Sequence, residues 1–149
     1  MLAAYWLVLL WALFIVFCDV KARRIPNELS LGVLLVGLIY AGYTGHAVLA
    51  VGWPDIGLGL LLAVGLTVPA YLQRWLGAGD VKLLLAIGIL GGWKAVLVSF
   101  VAAGLLSGVS IVAMLQYATY SGRSLPTGRW LPFGAMLAIG FMVSMGFKW

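Results

Sequence analysis

Few side chains in this 149-residue sequence suit acid–base or nucleophilic chemistry: the carboxylates Asp19, Glu28, Asp55 and Asp80, one histidine (His46) and one cysteine (Cys18). A single histidine and a single cysteine do not make the ligand cluster that zinc needs, so no metal site is expected, and Cys18 reads as an ordinary buried thiol. The carboxylates remain. Asp19 and Asp80 each stand where a long apolar stretch meets a basic connection. A carboxylate in hydrocarbon costs on the order of 2 to 3 kcal/mol, so one kept there generally faces a cavity or a partner. Two carboxylates brought together share a proton, so that one activates water while the other donates to a carbonyl. That is aspartic-protease chemistry, and it requires no cofactor. Taken singly, each has a plainer reading: Asp19 as a solvated residue at a helix end, Asp80 as an N-terminal helix cap.

The elements that must position them are membrane helices. With 64% hydrophobic and 9% charged residues the chain cannot cover a soluble core with polar surface, so lipid must be its solvent. The pattern predicts an all-α, polytopic membrane protein of about six transmembrane helices in a single domain over residues 1–149. The first helix runs to about Cys18, and a connection from Asp19 to Glu28 carries Lys21, Arg23, Arg24 and Ile25-Pro26-Asn27. The second covers about Leu29 to Tyr43. A loop through Gly45, His46, Gly52, Trp53, Pro54 and Asp55 leads to the third, which ends near Arg74. After a tight Gly77-Ala78-Gly79 turn, the fourth spans about Asp80 to Trp93 and the fifth about Ala95 to Tyr117. A polar Tyr120 to Arg129 connection precedes the sixth. No Lys or Arg precedes the first apolar stretch, so it is expected to be a retained helix and not a cleaved signal.

The net charge of +5 does not point to nucleic acid, because the basic residues are scattered between apolar spans. Lys21, Arg23, Arg24, Arg74, Lys82, Arg123 and Arg129 fall in alternate connections and only Lys94 and Lys148 in the others, which places both termini outside the cytoplasm. Trp53, Trp75, Trp93, Trp130 and Trp149 lie near predicted helix ends, as interfacial anchors would. Gly104 and Gly108 form a small-xxx-small pair expected to serve internal packing.

Asp19 with Lys21-Ala22-Arg23-Arg24-Ile25-Pro26-Asn27, then Gly77-Ala78-Gly79-Asp80-Val81-Lys82, and finally Pro132-Phe133-Gly134-Ala135, together resemble the motifs of the bacterial prepilin peptidases, GxGD-type intramembrane aspartic proteases. The resemblance implies that Asp19 and Asp80 are the catalytic aspartates. The substrate would then be a type IV pilin-like precursor, cut at the cytoplasmic face of the inner membrane after a short basic leader. The larger enzymes of that family carry a cytoplasmic region with paired cysteines and methylate the new N-terminus. This chain has no comparable insert, so N-methylation is not expected, and it looks more like the short stand-alone peptidases of Flp-type or tight-adherence pili.

Around the pair, Gly77 and Gly79 supply backbone that a substrate strand can approach closely. Lys82 has two readings, tuning the pair or contacting lipid headgroups. Pro132, Phe133 and Gly134 are possible supporting residues by the same resemblance. Glu28 is expected to favour the start of the second helix through the dipole. Asp55 and His46 are expected on the opposite side of the membrane from the pair. The expected partners are a pilin or pseudopilin precursor and membrane lipids, with no nucleic acid. Two other functions compete: a small proton-coupled transporter, because intramembrane carboxylates also mark ion pathways, and a non-catalytic pilus assembly protein. No inverted repeat supports the transporter, and the third helix holds no acid within its apolar span.

Overall fold

A computed structural model describes residues 2–22, 26–122 and 131–147. Arg23, Arg24, Ile25, Arg123, Arg129, Trp130, Lys148 and Trp149, which bear on the topology and anchoring expectations, lie outside the described residues. Among the described residues the chain is helical: α1 (Leu2–Ala22), α2 (Asn27–Thr44), α3 (Trp53–Leu72), α4 (Ala78–Ser121) and α5 (Phe133–Met145). The extended pairing is a lone bridge between His46 and Gly52 in the α2–α3 connection. Among the described residues, three helices are long and apolar enough to cross a membrane: α1 from Ala3, α3 and α4. The protein is thus an all-helical membrane protein.

Helix α4 is two legs joined at Gly92, whose φ of 70° and ψ of −167° lie in a region that essentially only glycine occupies. The first leg (78–91) is nearly enveloped: Leu83, Leu84, Ala86, Ile87, Ile89 and Leu90 are all buried. It is the central column of the fold. Asp55 bonds Trp93 and Gly59 meets Gly88, so α3 runs antiparallel to this leg. Lys82 bonds Asn27 and Gly37 meets Ile89, so α2 runs parallel to it. Helix α5 is antiparallel to α1, with Tyr5 bonded to Met145 O at one end and Asp19 to Ala135 N at the other. It is also antiparallel to the second leg of α4, where Gly140 lies against Ser99 and Met136 against Ser107.

The closest helix contacts run through glycines. A methyl added at Gly59 would sit 2.8 Å from the carbonyl carbon of Gly92 and 2.9 Å from Trp93 N, and one at Gly140 would sit 2.8 Å from Ser99 Cα and O. In lipid, where apolar burial drives helix association weakly, such backbone approach supplies the dispersion contacts that hold helices together.

Several boundaries differ from the sequence expectation. Helix α1 continues through Val20, Lys21 and Ala22, so Asp19 is inside a helix and not in a connection; the Lys21 ammonium sits 5.5 Å from the Phe17 ring centroid, one turn back. Helix α2 already contains Asn27 and Glu28, α3 begins at Trp53 and stops at Leu72, and α4 begins at Ala78 and extends to Ser121. The break within α4 falls at Gly92 and not at Lys94, because backbone geometry and not charge decides it. Gly104 and Gly108 have no described residue within 4 Å of an added methyl, so among the described residues this pair does not serve internal packing; the packing role belongs to Gly59, Gly88 and Gly140. Cys18 is half-buried, not enclosed.

Candidate active site

Asp19 occupies the last turns of α1 and is only 6% exposed. Its Oδ2 accepts a 2.7 Å hydrogen bond from the backbone N–H of Ala135, in the first turn of α5. The cause is local to the Pro132-Phe133-Gly134 segment. A helix start leaves its first N–H groups without intrahelical acceptors, and the N-cap of α5 is Pro132, whose side chain cannot accept. A carboxylate from α1 fills the gap, with the dipole of α5 favouring its charge. Phe133 adds an edge-to-face contact with Phe100 of the second leg of α4, at 6.3 Å between centroids, and Gly134 is buried.

Asp80 stands in the first turn of α4, half-buried. Its Oδ2 accepts the Gly77 backbone N–H at 2.9 Å, while its own N–H donates to Gly77 O at 3.1 Å. Gly77 is extended at φ −86°, ψ 154°, and is the N-cap; Ala78 and Gly79 are already helical, so the turn is tighter than the sequence suggested. The helix-cap reading of Asp80 is therefore realised geometrically. It is compatible with chemistry, since the same clasp fixes the carboxyl group's orientation.

The packing brings both carboxylates to one end of the bundle. The three residues 23–25 alone separate α1 from Pro26, so Asp19 and Asn27 share an end; Lys82 Nζ donates to Asn27 Oδ1 at 2.8 Å, so the start of α4 shares it too. Lys82 ties the start of α2 to the first leg of α4 two residues from Asp80. Glu28 is exposed in the first turn of α2, consistent with the helix-start reading.

His46 and Asp55 are at the other end of the bundle. Asp55 Oδ1 accepts the Trp93 indole N–H at 2.9 Å, and His46 pairs with Gly52 in the connecting loop. Trp93 is therefore a hydrogen-bonded packing residue, whereas Trp53 and Trp75 are exposed as anchors would be.

Sequence reasoning missed three polar groups at the Asp80 end. The Ala135 N–H is a backbone group 116 residues from Asp19; its only local signal is that proline leaves the α5 start without a side-chain cap. The Asn27 amide appeared as part of a motif with no partner assigned. Ser30, one turn further along α2, is buried and its hydroxyl has no hydrogen-bond partner among the described residues.

A glycine-opened helix start, two carboxylates oriented by backbone N–H groups and a cationic clamp between neighbouring helices make a site suited to acid–base work on a carbonyl. Neither curated proteins nor solved structures yield a match to this chain. A family model does match, over residues 6–112, a range that includes Asp19, Asn27, Gly77, Asp80 and Lys82 and ends before Pro132. Because that match takes in most of the sequence, the chain belongs to the type IV leader peptidase family.

Proposed function

We propose that this peptidase is an intramembrane aspartic endopeptidase in which Asp19 and Asp80 act as a pair, removing the basic leader of type IV pilin-like precursors of the Flp or tight-adherence kind at the cytoplasmic face of the inner membrane. The observation that carries this reading is the clasping of the two carboxylates at one end of the bundle. Each is held through Oδ2 by a backbone N–H where a helix begins, Asp19 by that of Ala135 in the first turn of α5 and Asp80 by that of Gly77, the N-cap of α4. Six segments, counting the two legs of α4 separately, traverse the bilayer, with both termini on the non-cytoplasmic side. Type IV leader peptidases act on pilin-type precursors in general, and the substrate's apolar helix enters here between α1, the first leg of α4 and α5.

The depth of the site supports water-dependent chemistry inside the bilayer. With the Gly92 end at one interface, Asp80 lies about 18 Å along the first leg at about 1.5 Å per residue, short of the roughly 30 Å of hydrocarbon. A carboxylate at that depth requires water or a partner, and the extended backbone at Gly77 is tolerated there only where it lines protein or a wet cavity. In the reaction, one carboxylate of the singly protonated pair removes a proton from water as it attacks the scissile carbonyl. The other carboxyl donates its proton to the carbonyl oxygen, and collapse of the tetrahedral diol returns a proton to the leaving amine.

The test is a gel-shift cleavage assay in membranes that combines the protein with pilin precursors from the same genome. The wild-type protein is expected to remove the leader, while Asp19→Asn and Asp80→Asn leave it intact although both remain folded. Wild-type turnover by either variant would refute the assignment, and a proton flux that depends on Asp80 without precursor cleavage would favour a transporter.

A further inference from the structure

Among the described residues, three helices are followed by a residue of left-handed backbone conformation, and one of the three breaks the usual rule. After α2 the residue is Gly45 (φ 77°), and after α4 it is Gly122 (φ 63°), the residue type that adopts this conformation without steric penalty. After α3 it is Arg74 (φ 61°). The α3 terminus is a complete Schellman turn, with Trp75 N–H on Ala70 O at 2.9 Å and Arg74 N–H on Tyr71 O at 2.9 Å. Glycine would fit this turn better than arginine does. Ala50 shares the left-handed conformation (φ 62°) but has no functional group, so strain alone assigns nothing. What distinguishes Arg74 is its surroundings.

Arg74 lines a cavity of about 420 Å³ together with Tyr71, Leu72, Leu76, Gly77 and Ala78, a size within the roughly 300–1,000 Å³ of small-molecule sites. No hydrogen bond or ion pair to another described residue engages its guanidinium. No acidic side chain lines the cavity; the nearest in sequence, Asp80, is clasped by Gly77. Leu72 and Trp75 flank it, 74% and 72% exposed, at the end of a 20-residue apolar span. A soluble ligand would leave these two side chains in water. A lipid would cover them.

We propose that the α3–α4 connection is a binding site for an anionic phospholipid: the Arg74 fork holds the headgroup phosphate, Tyr71 borders the cavity, and Leu72 and Trp75 lie among the acyl chains. The fork geometry of a guanidinium matches phosphate bidentately, which an ammonium cannot do. Because the cavity also touches Gly77 and Ala78, a lipid seated there abuts the helix start that carries Asp80. The site does not depend on the peptidase assignment and is tested without cleavage.

The experiment compares thermal unfolding of the full chain in phosphatidylcholine vesicles and in three-to-one phosphatidylcholine/phosphatidylglycerol vesicles. A ligand that binds the folded state raises the midpoint, so wild type is expected to gain several degrees from phosphatidylglycerol. Arg74→Gly is expected to match or exceed wild type in phosphatidylcholine by about 2 °C, because strain is relieved, and to lose at least half of the phosphatidylglycerol gain. Arg74→Gln, which keeps the strain and removes the charge, should lose the gain without the baseline rise. Lys21→Gln, at an exposed basic position on α1, should keep it. A full gain in Arg74→Gly, an equal loss in Lys21→Gln, or the absence of any gain in wild type would overturn the proposal. So would reproduction of the gain by millimolar inorganic phosphate in phosphatidylcholine vesicles, which would make the site one for free phosphate.

Discussion

The first leg of α4 has an aspartate at each end, and the two ends are built differently. At the Gly92 end Asp55 accepts an indole N–H from Trp93, the Leu90 carbonyl left open by the break receives Leu49 N–H at 3.1 Å, and Gly59 and Gly88 let two backbones touch. There the carboxylate is a brace between two helices, beside a cavity of about 220 Å³ that it lines with Gly91 and Lys94. At the Asp80 end the carboxylates accept backbone N–H groups at helix starts, a lysine bridges neighbouring helices, and a cavity opens beside Gly77. Residue type is the same at both ends, but the Asp55 carboxylate accepts a side-chain N–H that braces two helices, while Asp19 and Asp80 accept backbone N–H groups where helices begin.

The sharpest way to break this comparison is to exchange carboxylate for amide at each position. Asp19→Asn and Asp80→Asn are expected to lower leader cleavage by about a thousandfold or more, whereas Asp55→Asn should leave the cleavage rate within about twofold, with its loss appearing in thermal stability. Initial rates in membranes, paired with unfolding midpoints, separate the two outcomes. A cleavage loss at Asp55 comparable to that at Asp80 would erase the distinction between the ends.

Next in size are the glycines of the braced end. Gly59→Ala places a methyl 2.8 Å from the Gly92 carbonyl carbon, where only backbone could yield, and is expected to destabilise by about 1–3 kcal/mol. Gly92→Ala combines the forbidden backbone region with a contact 3.1 Å from Asp55 Cβ and should cost at least as much, roughly 1–3 kcal/mol for the conformation alone. Gly104→Ala is the control: it meets open space inside a helix and should stabilise by up to about 1 kcal/mol. Denaturation of the three variants in one detergent gives the ranking. A smaller effect follows from Trp93→Phe, which keeps the ring but removes the N–H donated to Asp55. A loss of about 1–2 kcal/mol is expected in the same assay, with no change in cleavage.

These contrasts also mark where the sequence was readable. Composition alone dictated a helical membrane protein, and Asp19 and Asp80 stood out because carboxylates are rare and expensive at the edges of apolar spans. The site's end of the bundle was legible for the same reason. What governs the rest is long-range. Which glycines touch a neighbouring helix depends on crossing points, so Gly104 and Gly108 looked the part while Gly59, Gly88 and Gly140 fill it. The break in α4 was placed by the charge at Lys94, although the Gly91-Gly92 pair beside it held the conformational freedom that the turn uses. The Ala135 N–H had no side chain by which to be noticed, and Asn27 and Lys82 meet across 55 residues.

The smallest predicted effect concerns that last contact and bears most directly on how the proposed active site works. The Lys82–Asn27 hydrogen bond lies exposed on the surface of the bundle, so its net contribution to stability should be no more than about 1.5 kcal/mol, and Lys82→Met should unfold close to wild type. Yet the bond fixes the start of α2 against the leg that carries Asp80, and α2 follows the helix that carries Asp19 after a short connection. Loosening it lets the two carboxylates drift relative to each other, and reacting groups lose rate steeply with misplacement. The expected result is a turnover number lowered by about threefold to tenfold with KM little changed, and the same loss in Asn27→Ala. A rise in KM alone would make Lys82 a substrate or headgroup contact. A double variant with no further loss beyond either single one would show that the two residues act through their mutual bond, which is the behaviour of a positioning pair.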